Sequence, residues 1–486
     1  MKYSSAFCLL PLILAFPFYV LCQVPEIQEF PVPPESKEAP DYKMKVNGRE
    51  VFVYNSDFNP FVIFNFEGTV DIEIITANDL KWADIRPLSD SISWRLDKNS
   101  LFFQLSNPAN LSIEFNGEST RALFIFAGRI TTPYTSGGNL IMYQGGRTYV
   151  TGMIDLKSND VLYIEGGALV KGHVQANHAR NIRILGNGIL DGSLSDKIPP
   201  HRMIDLFDCS NVEIRDITIH NSPTWTIVAS DCDSLSIINI KQVNWKFGSD
   251  GIDLVGTSHV MIENCFMKNN DDCIVIKSFD PENKYPDRRM NLGRNVTDIH
   301  VKNSTFWNMP WGNALEIGFE LRCDSVSGIE FRDIDIIHVE RGAGISIHNG
   351  DFSRVTDILY ENINIEDSNH KLIDLAIFLS QYSIDRPESG EERNARYMNG
   401  AWDGVLRVYP GEERTYEPNR GFINRIVFRN IKVVDGPFPF SIISGYDSKH
   451  SIDDIIIENM TIFNKKIDGP ASGHFTIENA GSVIFR

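Results

Sequence analysis

Between residues 248 and 276 the chain twice sets acid just ahead of a short apolar run: "GSDGIDL" from Gly248 and "NNDDCIVI" from Asn269, with Asp250 and Asp272 separated by 22 residues. Carboxyl groups brought close together can divide labour. Like charges at short range cannot all ionise freely at neutral pH, so at least one holds a proton while its neighbours stay basic. Cleavage of a glycosidic bond uses such a set, an acid for the leaving oxygen and a base for water. Whether Asp250, Asp271 and Asp272 meet depends on the elements that carry them.

Those elements repeat. From about residue 160 one template recurs: apolar, any, apolar, any, Asn or Asp, apolar, any, apolar. It reads "VEIRDITI" from Val212, "VMIENCFM" from Val260, "IEFRDIDI" from Ile329, "ILYENINI" from Ile358 and "IIIENMTI" from Ile455. The polar centres Asp216, Asn239, Asn264, Asn303, Asp333, Asn362, Asn430 and Asn459 stand 23, 25, 39, 30, 29, 68 and 29 residues apart. Period-two alternation bounded by Gly and Asn means strands. A recurring interval in the twenties means stacked coils, none able to bury its apolar face alone. The expected fold is all-β, with a right-handed parallel β-helix of about ten coils over residues 131–486. The Asn or Asp centre marks the bend between strands. The two long intervals hold edge insertions, one of them "FDPENKYPDRRMNLGRN" and the other near residues 381–419. Cys209 and Cys232 each fall seven residues before a polar centre, so they are expected to stack as a buried thiol ladder.

Overlaying the coils brings the acids together. Setting "SDGIDL" on "DDCIVI" puts Asp250 beside Asp272 and Ser249 beside Asp271, and "GNALEI" puts Gly312 and Asn313 at the same two places one coil on. Neighbouring strands lie ~4.8 Å apart, so three carboxylates are expected to crowd one exposed face. A coil-corner aspartate that only satisfies backbone amides accounts for one of them, not for three in register. A calcium ion is the competing occupant; no metal or cofactor is expected. Lys277, Asn313, Glu316 and His348 are candidates to hydrogen-bond sugar hydroxyls, plain solvation being the alternative. Trp307 and Trp311 are candidates to stack on sugar rings, core or loop packing being the alternative.

Residues 40–130 lack the template. Runs such as "FVIFNFEGTVDIEIIT" and "LSIEFNGESTRALFIFA" are alternating strands with short turns, which implies an antiparallel β-sandwich ahead of the helix. Residues 23–39 form a Pro-rich leader, and residues 1–22 read as a secretory signal with "FCLLPLILAFPFYVLC" as its apolar core. The expected location is secreted or periplasmic; lipid anchoring at Cys22 is the less favoured alternative, because Leu21 is bulky where a small residue is usual. No later segment is apolar and long enough to be a membrane-spanning helix. The net charge of -18 over 486 residues argues against nucleic acid or an anionic membrane as partner; the acids point to a polysaccharide or oligosaccharide, and oligomeric state is open.

"SPTWTIV" (Ser222 to Val228), "GSDGIDL", "NDDCIVI" and "ILGNGILDG" together resemble the polygalacturonase family of glycoside hydrolases, with its pectin lyase-like fold. The resemblance implies inversion of configuration without a metal, Asp271 as general acid, and Asp250 with Asp272 as the pair that activates water. Two departures stand out. The family's Gly-His-Gly block is "GNA" here, with Asn313 in the histidine's place, and its Arg-Ile-Lys block falls on "SIH", Ser346 to His348. Those cations would hold a uronate, so a neutral glycan is expected. The sandwich-then-helix order is similar to that of the dextranase and isopullulanase family. An acidic or sulfated polysaccharide is the alternative, with cations from Arg288, Arg289 and Arg294. A β-helix polysaccharide lyase is a further one, and a non-catalytic glycan-binding solenoid is the rival outside the enzymes.

Overall fold

The structure is a computed structural model and describes residues 25–132, 134, 139–194, 201–279, 294–398 and 404–486. The expected signal segment, Arg288 and Arg289 lie outside the described residues.

From Asn139 onward, strand stacks on strand in a right-handed parallel β-helix, a single sheet system of 29 strands among the described residues. The eight template centres explain how the chain turns. Asp216, Asn239, Asn264, Asn303, Asp333, Asn362, Asn430 and Asn459 all adopt left-handed backbone, with φ between 50° and 70°. Asn and Asp tolerate that region because their short polar side chains bond locally. Here they also bond between coils. The Asn239 side-chain amide donates to Asp216 at 2.7 Å, Asn362 to Asp333 at 2.8 Å, Asn430 to Asn362 at 2.8 Å and Asn459 to Asn430 at 2.7 Å. Inside, each apolar position meets its equivalent on the next coil. Phe331 stacks on Tyr360 at 4.9 Å and Tyr360 on Phe428 at 5.1 Å, rings nearly parallel. Cys209 and Cys232 are buried, unbridged neighbours, the Cys209 backbone N–H reaching Cys232 Sγ at 3.4 Å.

The sandwich has two five-stranded sheets. Its pairings are antiparallel with one exception: Glu118–Arg129 runs parallel to Phe61–Glu67. The leader takes part as well. Glu26–Gln28 pairs with Glu67–Asn65 at the edge of one sheet, and Phe30 and Pro31 lie on the first coils. The contact at those coils is too close for a side chain. A Cβ on Gly166 would stand 2.1 Å from the Phe30 ring, and one on Gly167 would stand 2.1 Å from the Pro31 carbonyl oxygen. The leader is therefore a strap over the start of the helix.

The two domains meet along an aromatic seam. Phe124 packs on Phe266 at 5.0 Å and on Trp307 at 6.0 Å, and Phe126 on Phe266 at 5.4 Å. Lys268, 1% exposed, points its ammonium at the Trp307 ring (4.0 Å) and donates to Asn59 Oδ1 at 2.5 Å. Burial pulls its pKa down to about 7. A polar knot lies deeper: Arg86 bonds Glu114 at 3.2 Å and Glu366 at 2.7 Å, and His338 joins Glu114 at 2.7 Å to Asp367 at 3.0 Å. Trp307 is thus a seam residue. It is 1% exposed, donates its indole N–H to Glu340 at 3.1 Å, and has no face left for a sugar. Its strand is half of the joint, which is why it is buried rather than lining a cleft.

Phe124→Ala should lower the free energy of unfolding by about 3–5 kcal/mol, the usual loss for a buried Phe. Urea denaturation measures it; a change below about 1 kcal/mol would show that the seam contributes little.

Candidate active site

Strands Ile252–Val255, Ile274–Ser278 and Leu315–Leu321 are consecutive neighbours, with Ile252 against Ile274 and Ile274 against Leu315. Two residues earlier on each stand Asp250, Asp272 and Asn313. Backbone bonds lock this register: Gly251 N–H to Asp272 O at 2.8 Å, and Cys273 N–H to Asn313 O at 3.0 Å. One place further back the parallel register ends. Ser249, expected beside Asp271, forms an antiparallel bridge with Asn270 instead, because the chain reverses at Gly248 (φ 75°).

Carboxylate oxygens of Asp250, Asp271 and Asp272 all lie within 4.8 Å of one another. The expected open face is a recess. Asp250 is 2% exposed and Asp272 6%; Asp271 alone is half-buried. Buried amides hold the turn that presents them. Asn308 Nδ2 donates to the carbonyls of Asp271 (2.9 Å) and Trp311 (2.8 Å), and Asn270 Nδ2 to that of Trp245 (2.7 Å). Gly312, with φ 63°, lies so close under the acids that a Cβ would stand 2.4 Å from the Asp272 backbone nitrogen.

Burial raises all three acids, and repulsion from neighbouring carboxylates adds to it at Asp250 and Asp272. Burial, then Asp271 and Asp253, push Asp250 far above the carboxylate range, and its buried Oδ1 has no hydrogen-bond partner. Burial, then Asp271 and Glu316, do the same to Asp272. Burial raises Asp271 to about 6, against the pull of Lys277. Asp253, wholly buried and without a bond to either carboxylate oxygen, is raised to about 7 by burial. Lys277 is the counter-ion of the group. Its ammonium lies 3.6 Å from Glu320 and 4.7 Å from the Trp225 ring, and the carboxylates around it outweigh burial and keep it charged.

The other sequence candidates divide. Asn313 donates from its backbone N–H to Asp272 Oδ1 at 2.7 Å and from its side chain to Glu316 at 2.9 Å. Glu316 is 0% exposed, so it bonds within the protein, to Asn313, Ser346 and His348, rather than to hydroxyls in a groove. His348, also buried, is clamped between Glu316 (3.0 Å) and Asp374 (3.1 Å) with its ring flat on Phe319. Trp311 meets Phe247 edge-on at 4.7 Å, and Phe247 is 66% exposed, so the pair forms an aromatic shelf beside the acids. Arg294 is turned away, bonded to Asp231 and the Cys232 carbonyl.

Sequence reasoning missed Phe247, Trp225, Asp253, Glu320 and Arg202. Asp253 and Trp225 stand inside the quoted motifs, and Phe247 directly precedes one, so proximity to the acids was a usable signal. Arg202, paired with Asp205 at 3.3 Å and 5.1 Å over Trp225, arrives from a distant turn and carries none.

The chain is thus a parallel β-helix that brings acids together from consecutive coils. Residues 127–381, just over half of the chain, match the glycosyl hydrolases family 28, and the chain belongs to that family. Endopolygalacturonase D of Aspergillus niger is 23% identical over 315 residues, 61% of this chain and 53% of that protein. A polygalacturonase of Juniperus ashei is 23% identical over 215 residues, 40% of this chain and 38% of that protein. The chain thus spans about half the length, or less, of these relatives. Among solved structures, Dex49A from Penicillium minioluteum superposes with a TM-score of 0.62 at 16% identity, over 93% of this chain and 96% of that one. A hyperthermoactive exopolygalacturonase from Thermotoga maritima gives 0.50 at 17% identity, over 66% and 79%. These two likenesses concern the fold.

Asp250→Asn should stabilise the fold at pH 7 by about 1–2 kcal/mol, the common gain from relieving a functional strain. In the native state Asp250 titrates far above its unfolded value, so its cost is present above pH ~4 and absent below it. Thermal unfolding at pH 7 and pH 3.5 should show the gain only at the higher pH.

Proposed function

We propose that the protein is a secreted glycoside hydrolase that cleaves the O-glycosidic bonds of a neutral polysaccharide or its oligosaccharides, with inversion and without a metal. Asp271, the acid open to the cleft, protonates the leaving oxygen; Asp250 and Asp272, holding one proton between them, take the proton of the attacking water on the oxygen left ionised. The single observation behind this reading is the three-carboxylate cluster with its oxygens within 4.8 Å. That distance is shorter than the usual spacing of an inverting acid and base. Inversion is supported by the family resemblance, with water placed on the Asp250–Asp272 pair rather than between acid and base. The secretory segment at residues 1–22 supports export.

The charges support a neutral substrate. Among the described residues, Lys277 is matched by Glu320, His348 by Glu316 and Asp374, and Arg202 by Asp205. A uronate carboxylate entering here would meet acids and find its charge-assisted partners already engaged. A second reading, an acidic polysaccharide, is favoured by the names of the relatives, which include polygalacturonases. A lyase that uses lysine as its base needs the neutral amine, and the carboxylates around Lys277 keep its ammonium protonated.

Asp271→Asn should cost at least ~100-fold in kcat, the scale of a lost general acid. An unchanged rate rejects the assignment. NMR of the first product from a panel of dextran, other neutral glycans, polygalacturonate and sulfated glycans gives linkage and anomer together; release of the retained anomer excludes inversion. Because Asp271 must carry a proton and its pKa is raised to about 6, kcat should fall as pH rises through that value. Phe247→Ala should raise KM about tenfold, the worth of one aromatic contact, with kcat little changed.

A further inference from the structure

Behind Asp272 a chain of buried polar side chains crosses four coils. The Asn313 side-chain nitrogen bridges two carboxylates, Glu316 Oε2 at 2.9 Å and Asp272 Oδ1 at 3.4 Å, while its oxygen accepts from the Ala343 N–H at 2.8 Å, which fixes which way the amide faces. Glu316 accepts from the Ser346 hydroxyl and from His348 Nδ1 at 3.0 Å. His348 Nε2 lies 3.1 Å from Asp374 Oδ2, and Asp374 is closed off by Lys371. Beyond Asn313 the signs alternate: carboxylate, imidazolium, carboxylate, ammonium. Such an order lets charge stay buried, since each ion has an opposite neighbour and every contact is hydrogen-bonded.

The clamp is strong enough to keep the histidine charged. Burial works against the imidazolium, yet Glu316 and Asp374 raise its pKa to about 10. The rings against it, Phe319 and Phe378, bring no charge. None of these groups faces open cleft: Glu316 is 0% exposed, His348 6% and Asp374 4%. They therefore have no direct task on a substrate. Among the described residues their hydrogen-bonded link to the acids is Asn313, which holds Asp272 by Oδ1 from both its backbone and its side chain. No hydrogen bond to Asp272 Oδ2 is found among the described residues, so that oxygen is the one left to face the site.

We propose that Glu316 is a positioning residue for Asp272: locked by the His348 imidazolium, it aims the Asn313 amide so that Asp272 keeps one oxygen tied and the other directed at the reacting water. This rests on the hydrolase reading for its purpose, though not for its test. Glu316 also adds a negative charge close to Asp272, which makes Asp272 a stronger base. The Asn313 amide pulls the other way by donating to the ionised form.

Two variants separate these effects by sign. Glu316→Gln removes the like charge, so Asp272 should titrate about one pH unit lower. Asn313→Ala removes a donor and leaves the charge, so Asp272 should titrate higher. Carbon-13 NMR of aspartate carboxyls, with Asp272→Asn to assign the resonance, reads both shifts without any substrate. Shifts in the same direction, or none in a folded Glu316→Gln protein, overturn the proposal. The wild-type His348 resonance gives a further check that needs no variant: it should stay imidazolium through pH 8, and titration near 6.5 overturns the clamp. In kinetics both variants should lower kcat with KM little changed. If wild-type protein cleaves no glycan, the hydrolase reading fails while the carboxyl titrations still decide the relay.

Discussion

Neighbouring coils of a parallel β-helix stand ~4.8 Å apart, so any residue placed at one coil position meets its counterpart on the next. For apolar side chains this spacing is favourable, and it builds the core. For the aspartates at 250 and 272 it is costly, because it holds like charges together in a recess where water cannot screen them. Much of the surrounding structure serves to hold that arrangement in place. Lys277 supplies an opposite charge within the group, Gly312 leaves room beneath it, and Asn308 and Asn270 pin the turns from which the acids project.

The sandwich belongs to the same logic. Phe266 and Lys268 lie on the strand Phe266–Asn269, and Asp271 and Asp272 follow directly. Trp307 precedes Trp311 and Asn313 in the same way. The seam residues against which Phe124 packs are thus the lead-in to the acid-bearing turns, so the sandwich backs the strands that enter those turns. A site that holds like charges together needs such backing, since the acids themselves repel. The leader strapped across Gly166 and Gly167 extends the joint to the first coils.

Charge pairing distinguishes this chain from what a family resemblance alone suggests. Where the family's basic block would stand, Ser346 and His348 are bound inward, and His348 is held by carboxylates on both sides. Its positive charge is therefore internal to the protein. Two chains with one fold and similar acid motifs can in this way present cleft surfaces of opposite character, because the balance is settled by a few side chains and by which of them turn inward.

The repeat, the bends and the register were legible from residues alone. Period-two alternation specifies strands, and the Asn or Asp centre specifies a left-handed bend because few other residues tolerate one. The recurring template then dictates that Asp250, Asp272 and Asn313 align. Depth and direction were not legible. Trp307 and Trp311 are four residues apart in the same motif, yet one is sealed in a seam with the sandwich and the other forms a shelf with Phe247. Glu316 and His348 have the composition of groove residues and are closed within a relay. Sequence determines local conformation and repeat register, since both arise from short-range sterics and from a pattern within one coil. Exposure depends on what is laid over the coil by segments far away in the chain, and only the assembled structure decides that.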